Sequence, residues 1–142
     1  MLCIFLAGFC NSIMDTVDHH FYNSIFSLIE NFNKRLWWNE SQGWLNKYYN
    51  RDMRLGRRKI EVLGLRFNYP VQLTDSWHFF KTLMLVFCSF GIAEGIFYYT
   101  LLPIMTWYWY IIVCAIVFSF SWVFGFNLGY NKLLLRKTWT NS

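Results

Sequence analysis

Two short stretches of the chain combine carboxylates with imidazoles at helical spacing. Side chains three or four residues apart share one face of an α-helix. Carboxylate and imidazole ligands together suit zinc, iron or manganese. Two helices that each present such a combination can therefore form a four-ligand metal site. The ionisable residues are Asp15, Asp18, His19 and His20 in the first stretch, and Asp75 and His78 in the second.

A metal ion held between these stretches would activate water or polarise a carbonyl or phosphoryl oxygen. Lys81 lies three residues beyond His78 and would orient the phosphate of a substrate. The same residues also permit a purely structural interpretation, in which Asp75 caps a helix and Lys81 extends to a membrane interface. Whether the chain is an enzyme stays open at this point. The predicted metal ligands are Asp15, His19, His20, Asp75 and His78.

One long apolar stretch, Thr82 to Tyr130, dominates the elements that must position these residues. It contains no Asp, Glu, Lys or Arg between Gly95 and Asn131. A transmembrane helix needs roughly 20 mostly apolar residues, and this stretch is long enough for two. Pro103 lies near its middle. The pattern predicts transmembrane helices over residues 75–102 and 104–130, joined by a tight turn.

A further helix is predicted over residues 2–32, because apolar side chains recur there at helical spacing. A span of about 20 residues would leave Asp15 to His20 in its last third, near the interface. Ionisable groups at that depth normally face a bundle interior or a wet cavity. The predicted fold is therefore an all-α membrane protein, a single domain with three transmembrane helices and an amphipathic interfacial cytoplasmic loop.

The loop over residues 33–74 is strongly basic, with nine Lys and Arg against Glu40, Asp52 and Glu61. The tail over residues 131–142 is basic as well. The positive-inside rule places both in the cytoplasm, and the N-terminus outside a cell's inner membrane. Aromatic residues between the cations favour contact with anionic lipid headgroups over nucleic acid. Residues 59–67 fit a hairpin around Gly64 only loosely, so no strand is assigned there.

Glycines at four-residue spacing permit close helix approach. Gly91 and Gly95 form one such pair, and Gly125 and Gly129 form another. The second pair packs either against the first helix or against another copy of the protein, so a homo-oligomer is one of the alternatives.

Glu94 is the only charged residue deep within the second apolar helix. It lies about 24 Å along that helix from His78, too far to complete a metal site there. We expect it to hydrogen-bond to Ser119, Ser121 or a tyrosine across the hairpin.

Three polar blocks carry a resemblance to a known group, and together they cover about a third of the chain. The chain resembles a group of small uncharacterised integral membrane proteins of bacteria and their phages. The resemblance implies that the polar blocks define the group, and it favours His20 over His19 as the imidazole near Asp15. It implies no established activity. The blocks are Met14-Asp15-Thr16 with His20-Phe21; Trp37-Trp38-Asn39 with Ser41, Trp44 and Asn46-Lys47-Tyr48; and Leu73-Thr74-Asp75-Ser76-Trp77-His78 with Lys81.

Two functions remain in competition. The first is a metal-dependent enzyme that acts on a lipid or lipid-like substrate at the inner leaflet and holds zinc, iron or manganese. The second is a non-enzymatic membrane module, such as a small pore or a phage-type envelope modulator, that oligomerises or binds a partner. In the second case the Asp/His cluster is structural and no cofactor is needed.

Overall fold

The computed structural model describes residues 1–101 and 107–135 of the chain. The turn predicted around Pro103 and the cations Arg136 and Lys137 lie outside these residues. A π-helix, Leu128–Leu134, directly continues the last α-helix. The described elements are helices α1 (Leu2–His19), α2 (Phe32–Trp38), α3 (Glu40–Gly43), α4 (Ser76–Leu101) and α5 (Trp107–Asn127), and strands β1 (Lys59–Val62) and β2 (Leu65–Asn68).

Two helical segments, Ser76–Thr100 and Trp107–Leu134, are long and apolar enough to cross a membrane. Only 6% of the residues in the apolar window of each segment are buried inside the protein. The core helix of a soluble protein would bury most of its apolar side chains, whereas these face outward. The prediction of a mostly helical chain with two long apolar helices is confirmed. By the same criteria of length and apolar composition, α1 is not a candidate membrane-spanning helix.

Helix α1 lies against both long helices. Ile4 near its start contacts Gly91 of α4, whereas Val17 near its end belongs to a cluster that Phe80 packs against, so α1 and α4 are antiparallel. Along α5, Phe5 contacts Gly125 and Ser12 contacts Gly129, so these two helices are parallel. At one end of the bundle α1 and α5 finish and α4 begins. We call this the polar end.

The first helix ends at His19, and its predicted continuation to Phe32 is wrong. His20 leaves the helical conformation, with φ −131° and ψ 21°. The Ser24 hydroxyl then donates to the carbonyl of Phe21 and accepts from the amide of Phe26. Such local side-chain bonds give the backbone an alternative to helical hydrogen bonding. The chain turns back there and buries the rings of Phe21 and Phe26 in the core.

Residues 20–75, which we call the connecting segment, cover the polar end of the bundle. Two of its aromatic side chains, Trp37 and Trp38, pack against rings of the bundle and of the segment itself. Trp38 stacks on Phe26 with ring centroids 4.1 Å apart and on Phe80 at 5.8 Å. Trp37 approaches Phe79 at 5.9 Å. These rings join the connecting segment to the first turns of α4.

The prediction of an all-α fold needs one correction, because the connecting segment contains a β-hairpin. Strands β1 and β2 pair antiparallel, from Lys59 opposite Asn68 to Val62 opposite Leu65. The two turn residues, Leu63 and Gly64, have positive φ of 53° and 79°. Positive φ at both central positions is typical of tight hairpin turns and suits Asn or Gly better than Leu. The unusual leucine is the reason why the sequence signal for this hairpin is weak.

Candidate functional site

Asp75 occupies the N-cap position of α4. Its Oδ1 accepts a hydrogen bond of 2.9 Å from the amide of His78, three residues into the helix. Carboxylates are favoured there because they satisfy an amide without a helical partner and face the positive end of the helix dipole. Thr74, Asp75 and Ser76 are each 0% exposed. The cap predicted from the sequence is therefore confirmed, and it is entirely buried.

The His78 imidazole completes the contacts of this carboxylate. Its Nδ1 lies 2.9 Å from both Oδ1 and Oδ2 of Asp75. The Thr74 hydroxyl oxygen is also 2.9 Å from Oδ2. A carboxylate beside Nδ1 holds the proton on that nitrogen and leaves Nε2 as the unprotonated ring nitrogen of neutral histidine. His78 is 36% exposed on its side chain, so the pair consists of a buried acid and a partly accessible imidazole.

Three contacts hold the connecting segment against residues 74–76, next to this pair. The side-chain amide of Asn46 donates a 2.7 Å hydrogen bond to the carbonyl of Thr74. Ser76 Oγ lies 3.5 Å from the carbonyl oxygen of Trp38. Gly43 lies directly over Asp75, because a Cβ at that glycine would be 2.6 Å from Asp75 Cβ. Asp75 is thus packed between α3 and the start of α4, away from solvent.

The first polar stretch lies at the end of α1. His19 Nε2 is 3.5 Å from Asp18 Oδ2, and both side chains are largely exposed. His20 contacts the ring of Tyr130 edge-on, with centroids 5.5 Å apart. The phenol of Tyr130 lies beside the Asp15 carboxylate. The π-helix that follows α5 carries this tyrosine, and rare π-helical turns are frequent at functional sites.

An open cavity of about 580 Å³ adjoins this stretch. Asp18, His19 and His20 form one side, while Asn39 and Ser41 from the start of α3 contribute to another. Helix α3 therefore contacts both polar stretches, because its last residue, Gly43, covers Asp75.

The structure keeps the two polar stretches apart as separate pairs. Asp75 and His78 form one pair, and Asp18 and His19 form the other. Within residues 1–101 and 107–135, no three His, Cys, Asp or Glu side chains are close enough together to hold one metal ion. Lys81 places its Nζ 4.5 Å from the centre of the Trp77 ring. The four-ligand set predicted from the spacing is thus not assembled among these residues.

Both predicted glycine pairs lie at helix contacts. An added Cβ at Gly125 would meet the carbonyl oxygen of Phe5, and one at Gly129 would meet Ser12, so this pair packs against α1 of the same chain. Gly91 lies against Ile4 of α1. Gly95 faces α5, where its carbonyl accepts a hydrogen bond from the Tyr110 hydroxyl.

Glu94 has a different partner from the one expected. Its Oε2 lies 2.8 Å from the N-terminal amine of Met1. The hydroxyl of Ser119 instead donates to the carbonyl of Ala115, and that of Ser121 lies 3.7 Å from the Met1 sulfur. The prediction of a bond to these serines or to a tyrosine is wrong, because antiparallel packing brings Met1, which directly precedes α1, level with Glu94.

Several residues of these contacts escaped the sequence reasoning. Gly8, Ser12 and Thr16 recur at four-residue spacing along α1 and are all buried. That spacing was visible in the sequence and is the same signal that identifies the other glycine pairs. Gly43 and Asn46 offered no such signal, since they contact Asp75 and Thr74 only through the folding of the connecting segment.

Comparison with protein-family models, with curated proteins and with solved structures finds no match for this chain. The assignment of function therefore rests on the geometry of the residues described above.

Proposed function

We propose that this chain is an integral membrane protein whose connecting segment lies on the inner membrane surface and binds anionic lipid headgroups. In this proposal the Asp75–His78 pair is structural and fixes the connecting segment to the bundle. The observation that supports this structural role is the burial of Asp75. This residue is 0% exposed, and its carboxylate contacts three groups of its own chain. A metal ion or substrate could reach this carboxylate only by displacing those groups.

Three crossings and a fixed orientation belong to the same proposal. The two apolar segments supply two crossings, and α1 supplies the third, since it is antiparallel to α4 and parallel to α5 as successive crossings require. The positive-inside rule then places the basic connecting segment in the cytoplasm. The N-terminus is outside in this arrangement.

The charges of the connecting segment support binding to an anionic surface. Among the side chains that the structure describes, Arg66 is the only Lys or Arg of this segment within 4.0 Å of a carboxylate, and its partner is Glu61 at 3.6 Å. Two other cations lie over aromatic rings: Lys47 is 5.2 Å from Trp44, and Arg58 is 4.8 Å from Tyr69. Cations that lack acidic partners are available to phosphate groups, at about 1 kcal/mol each near an anionic membrane.

The β-hairpin adds apolar side chains beside these cations. Leu63 at its tip is 98% exposed, and Leu65 and Phe67 on β2 are exposed as well. Apolar side chains next to cations are typical of segments that lie in the headgroup region of a membrane. We therefore assign the hairpin and the adjacent residues 53–58 as the lipid-contacting part of the connecting segment.

Neutralising the cations before and within β1 tests this proposal. We expect the variant Arg57→Gln/Arg58→Gln/Lys59→Gln to retain at least about fivefold less phosphatidylglycerol than the parent, because three surface cations are lost. Native mass spectrometry of protein taken from mixed phosphatidylglycerol and phosphatidylcholine vesicles measures the retained lipid. The matched control, Arg57→Lys/Arg58→Lys, preserves the charge and should retain as much as the parent. Equal retention by the neutral variant would refute the proposed lipid contact.

The metal-dependent lipid enzyme is the second candidate. It is favoured by the open cavity beside Asp18, His19 and His20, which has room for a headgroup. In that case the metal would be zinc, iron or manganese.

Elemental analysis separates this candidate from the structural one. The enzyme proposal predicts about one equivalent of metal in the purified parent, with loss of the metal in a folded His19→Ala/His20→Ala variant. Purification must avoid chelators and include added zinc, iron or manganese. A parent without bound metal under these conditions would leave the non-enzymatic module as the proposed function.

A further inference from the structure

The cavity at the end of α1 differs in charge from the rest of the protein. The chain carries a formal net charge of +5, yet none of the described residues that line the cavity is Lys or Arg. Asp18 lies on its wall, and Asp15 lies one turn earlier on the same helix, beside the phenol of Tyr130. Among the described residues, neither carboxylate is within 4.0 Å of a Lys or Arg nitrogen. The local charge therefore favours a cation.

The walls of the cavity favour an organic cation over a metal ion. Phe21, Tyr22 and Trp44 are among the residues that line it, and of these Tyr22 is the most exposed, at 72%. Aromatic faces attract ammonium groups through their quadrupole and commonly form the binding sites of choline-like ligands. The volume of about 580 Å³ is far larger than a metal ion occupies and lies in the range of small-molecule sites. The described residues also provide no group of three metal-binding side chains.

Hydrogen-bonding groups in the same cavity suit a headgroup of this kind. Asn39 and Ser41 also line it. The cavity lies where α1 leaves the bundle, at the polar end, and therefore at headgroup depth if the long helices cross the membrane. An ammonium-bearing lipid headgroup could reach it from the bilayer, and a free amine could reach it from water.

We propose that this cavity binds an ammonium group, with Asp18 supplying the opposite charge and Tyr22 supplying an aromatic face. This site is distinct from the phosphate-binding surface of the hairpin. This inference rests on one part of the proposed function, namely that the polar end of the bundle lies at a membrane surface.

The test compares lipids with identical acyl chains and different headgroups. Full-length protein in detergent is loaded with phosphatidylethanolamine, phosphatidylcholine or phosphatidylglycerol, and native mass spectrometry counts the retained lipid. We expect Asp18→Asn to reduce retention of the two ammonium lipids at least about fivefold and Tyr22→Leu to reduce it about threefold. Retention of phosphatidylglycerol should not change in either variant. Glu61→Gln removes a carboxylate from the hairpin and serves as the control, with parental retention of the ammonium lipids.

Free ethanolamine and choline identify the source of the ligand. Competition by millimolar free amine supports an ammonium site that soluble amines can fill, whereas binding without such competition supports a site for intact lipid. Equal behaviour of Asp18→Asn and Glu61→Gln would overturn the proposal. So would an equal loss of all three lipids in Asp18→Asn, or binding of added zinc at the cavity without binding of ammonium lipids. The hairpin variant is expected to lower the retention of phosphatidylglycerol, whereas Asp18→Asn is not. Each lipid proposal can therefore be refuted without refuting the other.

Discussion

Replacing Asp75 by alanine should lower the free energy of unfolding by roughly 1–3 kcal/mol, the typical cost of leaving buried hydrogen-bonding groups without a partner. The substitution removes the acceptor for the His78 amide and for His78 Nδ1, both at 2.9 Å. Alanine keeps the Cβ that lies beneath Gly43, so the expected loss comes from the hydrogen bonds of the carboxylate. We therefore expect the connecting segment to separate from the bundle before the apolar helices unfold. Denaturant unfolding in detergent measures the free energy, and the rate of tryptic cleavage within residues 51–59 measures the separation.

Asp52→Ala is the matched control for this prediction. Asp52 also accepts a backbone hydrogen bond from a residue that follows it, since its Oδ1 lies 2.9 Å from the amide of Arg54. It is exposed, however, so its loss should cost about 1 kcal/mol or less. Asp75→Asn should fall between the two, because the amide oxygen preserves the bond to the His78 amide while the charge is lost.

The same variants distinguish the structural role from a catalytic one. A structural Asp75–His78 pair predicts that the single variants Asp75→Ala and His78→Ala are both destabilised and that their effects are not additive in the double variant. A folded Asp75→Ala protein with parental stability would contradict this role. That result would favour a catalytic role for the Asp75–His78 pair.

Gly125→Ala should destabilise the packing of α1 by about 1–3 kcal/mol. The added Cβ would meet the carbonyl oxygen of Phe5 and lie 3.2 Å from the amide nitrogen of Phe9. Both are backbone atoms of α1, so relief requires movement of the whole helix away from α5. Alanine is otherwise the better helix former by about 1 kcal/mol, so any loss of stability reports the contact itself. The melting temperature in detergent, followed by circular dichroism, measures the effect.

Gly95→Ala provides the comparison for Gly125→Ala. A Cβ at Gly95 would lie 3.4 Å from the Phe118 ring edge, which is an ordinary contact with a side chain. We expect this variant to melt at or slightly above the parental temperature. Equal destabilisation of both variants would mean that the close approach of α1 to α5 is not a property of the folded protein.

The parts of the fold that the sequence predicted are those with a local physical cause. The absence of charge from Gly95 to Asn131 indicates two long apolar helices whatever the rest of the chain does. Asp75 at the start of a helix is likewise a local pattern, because a cap contacts its own first turn. Both predictions are confirmed by the helices and by the bond between Asp75 and the His78 amide.

The parts that were mispredicted depend on contacts between distant residues or on unusual local conformations. Helix α1 ends early because the Ser24 hydroxyl accepts a hydrogen bond from the amide of Phe26 and forms a turn. This turn places the Phe26 ring in a stack with Trp38. The hairpin was not assigned because Leu63 occupies a turn position that normally favours glycine or asparagine. The docking of Gly43 and Asn46 has no periodic signal at all.

The separation of the two Asp/His stretches was also beyond sequence reasoning. Spacing along α4 correctly placed Asp75 beside His78. In α1 the spacing pairs Asp15 with His19, whereas the structure places His19 beside Asp18. The position of α3, which contacts both stretches, depends on how residues 20–75 fold across the polar end. Periodicity within a helix carries no information about that arrangement.

Hydrogen exchange of the connecting segment in nanodiscs tests the central claim most directly, namely that this segment is held at an anionic membrane surface. The parent protein is placed in discs of phosphatidylcholine alone and in discs that also contain phosphatidylglycerol, at low salt. We predict that amides of residues 53–68 exchange at least about tenfold more slowly in the anionic discs, because several cations gain headgroup contacts. We also predict that added salt abolishes the difference. Identical exchange rates in the two compositions would contradict the proposed function.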